Sequence, residues 1–146
     1  MSQMVITDVD DCLILTTESL KAHGVSKKTF YFDMTVYEQH KHRIFYSATI
    51  TPWGREFMMM VKARKIRNYM VITAARNRAD ILHSIFGIDK RFEKEDMSNK
   101  DKVLYLNSIR EPFIYVDDKN DIINKIDNPC MVQTFLYPSF HKSFAN

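Results

Sequence analysis

Four apolar runs of strand length, Met4–Thr7, Tyr69–Thr73, Phe113–Val116 and Met131–Phe135, constrain this chain more than any other feature. Each suits a fully buried strand, and three of the four run straight into polar or acidic residues. Between them apolar residues recur at helical spacing. The sets are Trp53, Phe57, Met60 and Val61; Ile81, Leu82, Ile85 and Phe86, ending at Gly87; Val103, Leu104 and Leu106 behind a Ser98 cap; and Ile122, Ile123 and Ile126. Strand alternating with helix predicts an α/β fold, a doubly wound, Rossmann-like and mostly parallel sheet.

One stretch departs from the alternation. Residues 13–51 contain two period-two patterns, Phe30-x-Phe32-x-Met34-x-Val36 and Ile44-x-Tyr46-x-Ala48-x-Ile50, joined by the polar stretch Glu38–Arg43. These predict a short β-hairpin flap, a minimal cap inserted after the first strand, with His40-Lys41-His42-Arg43 at its tip. Only three Gly and four Pro leave no room for a flexible linker, so residues 1–146 are expected to form a single domain.

Charge is mixed, with 21 Lys+Arg against 18 Asp+Glu, which is only a mild pointer to an anionic partner. Cys12 and Cys130 stand in apolar stretches without metal-ligand spacing, the pattern of reduced, buried thiols. The opening MSQMVITDVDDCL places acidic residues where a signal peptide needs basic and then apolar ones, and no run of about 18 apolar residues exists. A cytoplasmic protein with no membrane contact is expected. His23, His83 and His141 share no spacing and receive no ligand role.

The chemistry concentrates where the first strand ends. Val5-Ile6-Thr7-Asp8-Val9-Asp10-Asp11 puts three carboxylates at the carboxyl end of a buried strand, where open α/β sheets form their ligand crevice. Carboxylates crowded there repel one another unless a cation sits among them, and Mg²⁺ takes oxygen ligands. Asp8 and Asp10, two residues apart in extended chain, can face the same side, so one can attack while the other handles a proton.

Asp8-Val9-Asp10-Asp11-Cys12-Leu13 resembles the first motif of the haloacid dehalogenase superfamily, an apolar strand followed by Asp-x-Asp-x-(Thr/Val). The resemblance implies a Mg²⁺-dependent phosphatase with Asp8 as nucleophile and metal ligand and Asp10 as general acid/base. Cys12 replaces the usual Thr or Val, a packing change. Tyr69-Met70-Val71-Ile72-Thr73 looks like the second motif, and there Thr73 would bond a phosphoryl oxygen, with Arg76 as a further phosphate contact.

Ser98-Asn99-Lys100-Asp101-Lys102 resembles the third motif, a lysine near a helix start that offsets the charge of Asp8 and the phosphate. Lys100 is preferred because it lies nearer the helix start with Leu104 one turn on. Lys102 is the alternative, with Leu106 and Ile109 at offsets of four and seven. Val116-Asp117-Asp118-Lys119-Asn120-Asp121 looks like the fourth motif, which completes the metal site. Candidate ligands are therefore Asp8, Asp10, Asp117, Asp118 and Asp121, with the choice between Asp118 and Asp121 open.

A short insert implies an open site. The layout resembles the three-prime phosphatase domain of polynucleotide kinase-phosphatases, so the expected substrate is a nucleotide or a polynucleotide three-prime phosphate end, gripped by Lys41 and Arg43. A phosphoprotein or a sugar phosphate, or a non-catalytic module of the same fold, are the alternatives.

Overall fold

The computed structural model describes residues 3–136. Its strands are β1 (Met4–Asp8), β2 (Tyr69–Ile72), β3 (Glu93–Lys94), β4 (Phe113–Asp117) and β5 (Met131–Leu136). Its helices are α1 (Thr16–Ala22), α2 (Lys27–Phe32), α3 (Met34–Ser47), α4 (Pro52–Lys62), α5 (Ala79–Phe86), α6 (Asn99–Ser108) and α7 (Asn120–Asn124). The four apolar runs are strands to within one residue at each end. β3 is two residues long and carries no apolar run that could announce it.

All strand pairs are parallel, in the order β3-β2-β1-β4-β5. The chain moves outward from β1 through β2 to β3, then returns across the sheet through α6 to β4 on the other side. That reversal opens a crevice between β1 and β4 at their carboxyl ends. Thr7 pairs with Val116, so Asp8 and Asp117 leave the sheet side by side.

Strand alternation divides the core in two. Val5, Tyr69, Val71, Ile114 and Val116 meet a cluster that includes Phe57, Ile81, Leu82 and Phe86 from α4 and α5. Ile6, Ile72, Phe113 and Tyr115 meet Leu106 and Ile122 from α6 and α7 on the other face. Two helix ends obey the sequence signals. Ser98 and Asp101 form a reciprocal capping box at α6, and Gly87 ends α5 at φ +76°, a left-handed conformation that glycine adopts without strain.

The expected hairpin is not there: the insert is helical, α1 to α3. Its apolar residues follow a helical phase, because Phe30, Tyr37, Ile44, Phe45 and Ala48 are buried while Phe32 and Met34, which made the alternation look regular, are exposed. Asp33 decides the matter locally. Its carboxylate accepts hydrogen bonds from the Thr35 and Val36 amides, so it caps α3 in the middle of what reads as a strand. His40-Lys41-His42-Arg43 accordingly lies within a helix and forms no tip. The buried insert residues belong to the same apolar cluster as Val71 and Phe57, and the rings of Phe30, Tyr37 and Phe45 meet at centroid separations of 4.8 to 6.1 Å. Each such pair contributes about 0.5–1.5 kcal/mol beyond its buried area.

α4 fastens the insert's far end to the loop that follows β1. Thr51 donates its hydroxyl to the Cys12 carbonyl at 2.7 Å and its amide to the Leu13 carbonyl at 3.0 Å. At Gly54, one turn inside α4, an added Cβ would stand 2.1 Å from the Leu13 oxygen, so the position has no room for any side chain.

Candidate active site

Asp8 ends β1 and Asp117 ends β4, with Asp118 next in the chain, and one carboxylate oxygen from each lies within 4.8 Å of the others. The Lys102 amine, from the first turns of α6, donates to Asp8 Oδ1 at 2.9 Å with both side chains buried. Buried Lys102, Leu106 and Ile109 form the inner stripe of α6, whereas Lys100 is exposed and Leu104 is 60% exposed. The preference for Lys100 is thereby corrected: Leu104, the apolar residue that favoured it, faces outward. Lys100 and Asp121 line a different cavity, between α6 and α7.

Crowding leaves its mark on these groups. Burial, and then the charge of Asp117, push the Asp8 carboxyl up against the opposing pull of Lys102. Asp118 is pushed up to about 10 by burial, then by its hydrogen bond to Asp8 and the charges of Asp8 and Asp117. Burial disfavours the Lys102 ammonium, yet the adjacent Asp8 holds its pKa above the ordinary lysine value. Asp118 Oδ1 is buried without a hydrogen-bond partner among the described residues. Three converging carboxylates with an orphaned oxygen are the donor set of a hard dication, so the residues fit Mg²⁺. Asp117 is fixed for such a role by the Tyr115 hydroxyl, which donates to Oδ2, and by the Lys119 amide, 3.1 Å from Oδ1.

Asp10 points elsewhere. Arg78, whose side chain is 0% exposed, forks onto it with Nη1 to Oδ1 at 2.8 Å and Nη2 to Oδ2 at 2.7 Å. The Thr16 hydroxyl donates to Oδ1 at 2.6 Å and the Thr73 hydroxyl to Oδ2 at 3.2 Å. Burial acts to raise the Asp10 pKa, but the Arg78 charge and hydrogen bonds, with Thr16, hold it below the usual carboxylate value. Asp10 is thus outside the cluster of converging carboxylates, and Thr73 has its hydroxyl engaged with Asp10 and Arg78.

A cavity of about 230 Å³ opens over these groups, lined by Asp8, Asp10, Asp11, Lys102, Asp118 and Lys119, and on the insert side by Lys27, Tyr31 and Phe32. Phe32 is 83% exposed at its rim. Asp11, in left-handed backbone at φ 59°, accepts from the amide and hydroxyl of Thr17 and holds the start of α1. The Cys12 thiol is fully buried, and burial, then the charge of Asp8, push its pKa well up, which is the behaviour of a packing residue.

Arg76 and Lys41 are not at this cavity. The Arg76 guanidinium lies 5.5 Å from the Tyr37 ring centroid, the Lys41 amine donates to the Asn77 carbonyl and pairs with Glu38, and Arg43 donates to His40. Sequence reasoning missed Arg78, Tyr115 and Lys27, whereas Phe32 and Tyr31 are among the insert aromatics that the sequence offers as contacts for phosphates and bases. An arginine five residues beyond the Thr73 strand end was the only signal for Arg78.

No family model matches the chain, and no curated protein matches it. Among solved structures, the putative beta-phosphoglucomutase from Thermotoga maritima aligns over 99% of both chains at 14% identity with a TM-score of 0.53. A haloacid dehalogenase-like family hydrolase from Streptococcus pneumoniae aligns over 99% of this chain and 98% of its own at 10% identity, with a TM-score of 0.47. The first likeness shows a shared fold, an α/β fold built on a parallel sheet, and extends over the whole of both chains. Among the described residues no helix is long and apolar enough to cross a membrane.

Proposed function

We propose that the chain is a haloacid dehalogenase-type phosphomonoester hydrolase that works through an aspartyl-phosphate on Asp8. The observation that carries this reading is the pairing of buried Asp8 with Lys102 beside Asp117 and Asp118 at adjacent strand ends of one cavity. Asp8, Asp117 and Asp118 would hold Mg²⁺, which when bound neutralises charge on the phosphoryl oxygens. Lys102 orients the Asp8 carboxylate and offsets anionic charge as the phosphoryl group arrives. Asp8 attacks phosphorus and the ester P–O bond breaks, the departing alkoxide taking its proton from solvent water while Asp10 stays ionised. Water then attacks phosphorus, Asp10 takes a proton from it and passes it to solvent, and the bond to Asp8 breaks to release phosphate.

The substrate we propose is a nucleotide or a polynucleotide three-prime phosphate end. What supports it is the rim: Phe32 and Tyr31 offer aromatic faces on which a base can stack, and Lys27 and Lys119 offer cations for a further phosphate. The rim replaces the Lys41 and Arg43 grip expected from the sequence.

Hydrolysis of nitrophenyl phosphate should require Mg²⁺ and vanish in Asp8→Asn; undiminished turnover in that variant removes the reading. A screen of mononucleotides, three-prime-phosphorylated oligonucleotides, phosphopeptides and sugar phosphates then tests the substrate. Phe32→Ala should raise KM for nucleotides but not for sugar phosphates. Absence of turnover on every phosphate, with Mg²⁺ bound, would indicate a non-catalytic module.

A further inference from the structure

Arg78 is an unusual side chain for a loop residue. Among the described residues it is the largest fully buried side chain, and it stands where the segment after β2 enters α5. Burying a guanidinium is costly unless its charge is matched, and Nε of Arg78 is buried without a hydrogen-bond partner among the described residues, so the Nη atoms carry the pairing. Here Asp10 takes both Nη atoms, Thr73 Oγ1 accepts a second bond from Nη2 at 2.8 Å, and the Phe45 ring centroid lies 4.4 Å from the guanidinium carbon. With Thr16 and Thr73 added, both oxygens of Asp10 accept two hydrogen bonds each, so the carboxylate is held in a single orientation at the cavity wall.

The loop that delivers Arg78 is gripped by α3. Tyr37, Lys41 and Phe45 stand four residues apart, on one stripe of the helix. The Tyr37 hydroxyl donates to the Arg76 carbonyl at 2.5 Å, the Lys41 amine to the Asn77 carbonyl at 2.5 Å, and Phe45 packs on Arg78 itself. Asn77 is in left-handed backbone at φ 53°, and the Glu95 carboxylate holds its amide at 3.1 Å. Three successive loop residues therefore meet three successive turns of one insert helix.

We propose that Arg78 is the positioning residue for Asp10, and that helix α3 of the insert acts as its scaffold through Tyr37, Lys41 and Phe45. On this account the insert is part of the proton-handling apparatus and is built in advance of substrate binding. The inference rests on the reading of Asp10 as the group that moves the proton.

Pre-steady-state hydrolysis of nitrophenyl phosphate separates the steps. Nitrophenolate leaves without needing a proton, so phosphorylation of Asp8 does not depend on Asp10, whereas hydrolysis of the aspartyl-phosphate does. In Arg78→Met the burst of one nitrophenolate per site should persist while steady-state turnover falls on the order of 10²-fold, the scale of losing one preorganised catalytic contact. Arg78→Lys, which keeps the charge and loses the planar fork, should recover little of that loss. Tyr37→Phe should show the same pattern, several-fold in size, and it decides the question if Arg78→Met does not fold. Equal losses of burst and turnover in the folded variants, or no loss in any, overturn the proposal. Asp10→Asn is measured alongside: if it turns over like the parent protein, the proton role of Asp10 fails, and the scaffold is judged only by whether Tyr37→Phe changes turnover.

Discussion

The strand-end cluster and the helical insert are built on opposite rules. Asp8 and Asp117 are neighbours because main-chain pairing sets Thr7 against Val116, and any side chain at those two positions would be delivered to the same place. Lys27, Tyr31, Phe32 and Tyr37 reach the site and its loop only because the rotational phase of short helices turns them there. A site assembled from strand ends follows from the order of elements, whereas one assembled from helix faces follows from which residues become buried. The two regions should therefore fail differently when perturbed.

The sharpest contrast lies within α6. Lys102→Met removes the buried partner of Asp8 and should lower turnover by about 10²–10³-fold, the scale of one preorganised charge in a water-poor site. Lys100→Ala, two residues away on the exposed face, should leave turnover near that of the parent protein. If the two lysines exchange effects, the inner stripe of α6 is wrongly phased.

Metal linkage tests the cluster by a second route. Mg²⁺ at a hundred times Kd should stabilise the protein by about 2.7 kcal/mol, and Asp118→Asn should lose that gain. Without metal the same substitution acts in the other direction. Because the folded-state pKa of Asp118 is raised to about 10 from 3.8, its ionisation disfavours the fold increasingly as pH climbs between those values. In EDTA, Asp118→Asn should match the parent protein near pH 4 and exceed it in urea midpoint by a growing margin toward pH 9. A margin that shrinks with pH would mean that Asp118 does not share the crowded site.

Gly54 tests how firmly the insert is tied to the acidic loop. Gly→Ala inside a helix ordinarily stabilises by about 1 kcal/mol. Here the new Cβ would meet the Leu13 carbonyl, so the sign should reverse and cost about 1–3 kcal/mol, visible as a lower Tm. Because Leu13 belongs to the loop carrying Asp10, activity should fall with it. A stabilised Gly54→Ala protein would show that α4 can slide away from the loop without harm.

Legibility followed the same division. The four longer strands and the acidic ends of β1 and β4 could be read because burial forces continuous apolar runs of strand length. Ser98 and Gly87 could be read because capping and positive φ restrict residue choice. The insert reads as a hairpin because Phe30, Phe32, Met34 and Val36 imitate period two across a helix boundary, and Asp33, the residue that breaks the pattern, looks like one more polar position in an alternating strand. Apolar Leu104 points to the wrong inner face of α6 and so favours Lys100 over Lys102. Arg78 carries almost no sequence signal because buried arginine is rare, and its burial depends on Phe45 and Asp10, distant in sequence from it.

Lys41 and Arg43 give the finest test, since the sequence paired them and the structure parts them. The Lys41 side chain is 12% exposed, with its amine between the Asn77 carbonyl and the Glu38 carboxylate, so Lys41→Met should cost about 1 kcal/mol through that loop contact. Arg43 is exposed and, among the described residues, its guanidinium donates to His40 on its own helix, so Arg43→Gln should change stability by less than about 0.5 kcal/mol. Turnover of nitrophenyl phosphate should fall in Lys41→Met, because the loop carrying Arg78 is loosened, and should not change in Arg43→Gln. Equal behaviour of the two variants would return both to the surface role that a hairpin tip implied. In that case the salt dependence of oligonucleotide hydrolysis should flatten in both variants, because a polynucleotide grip works through the counterions its cations release.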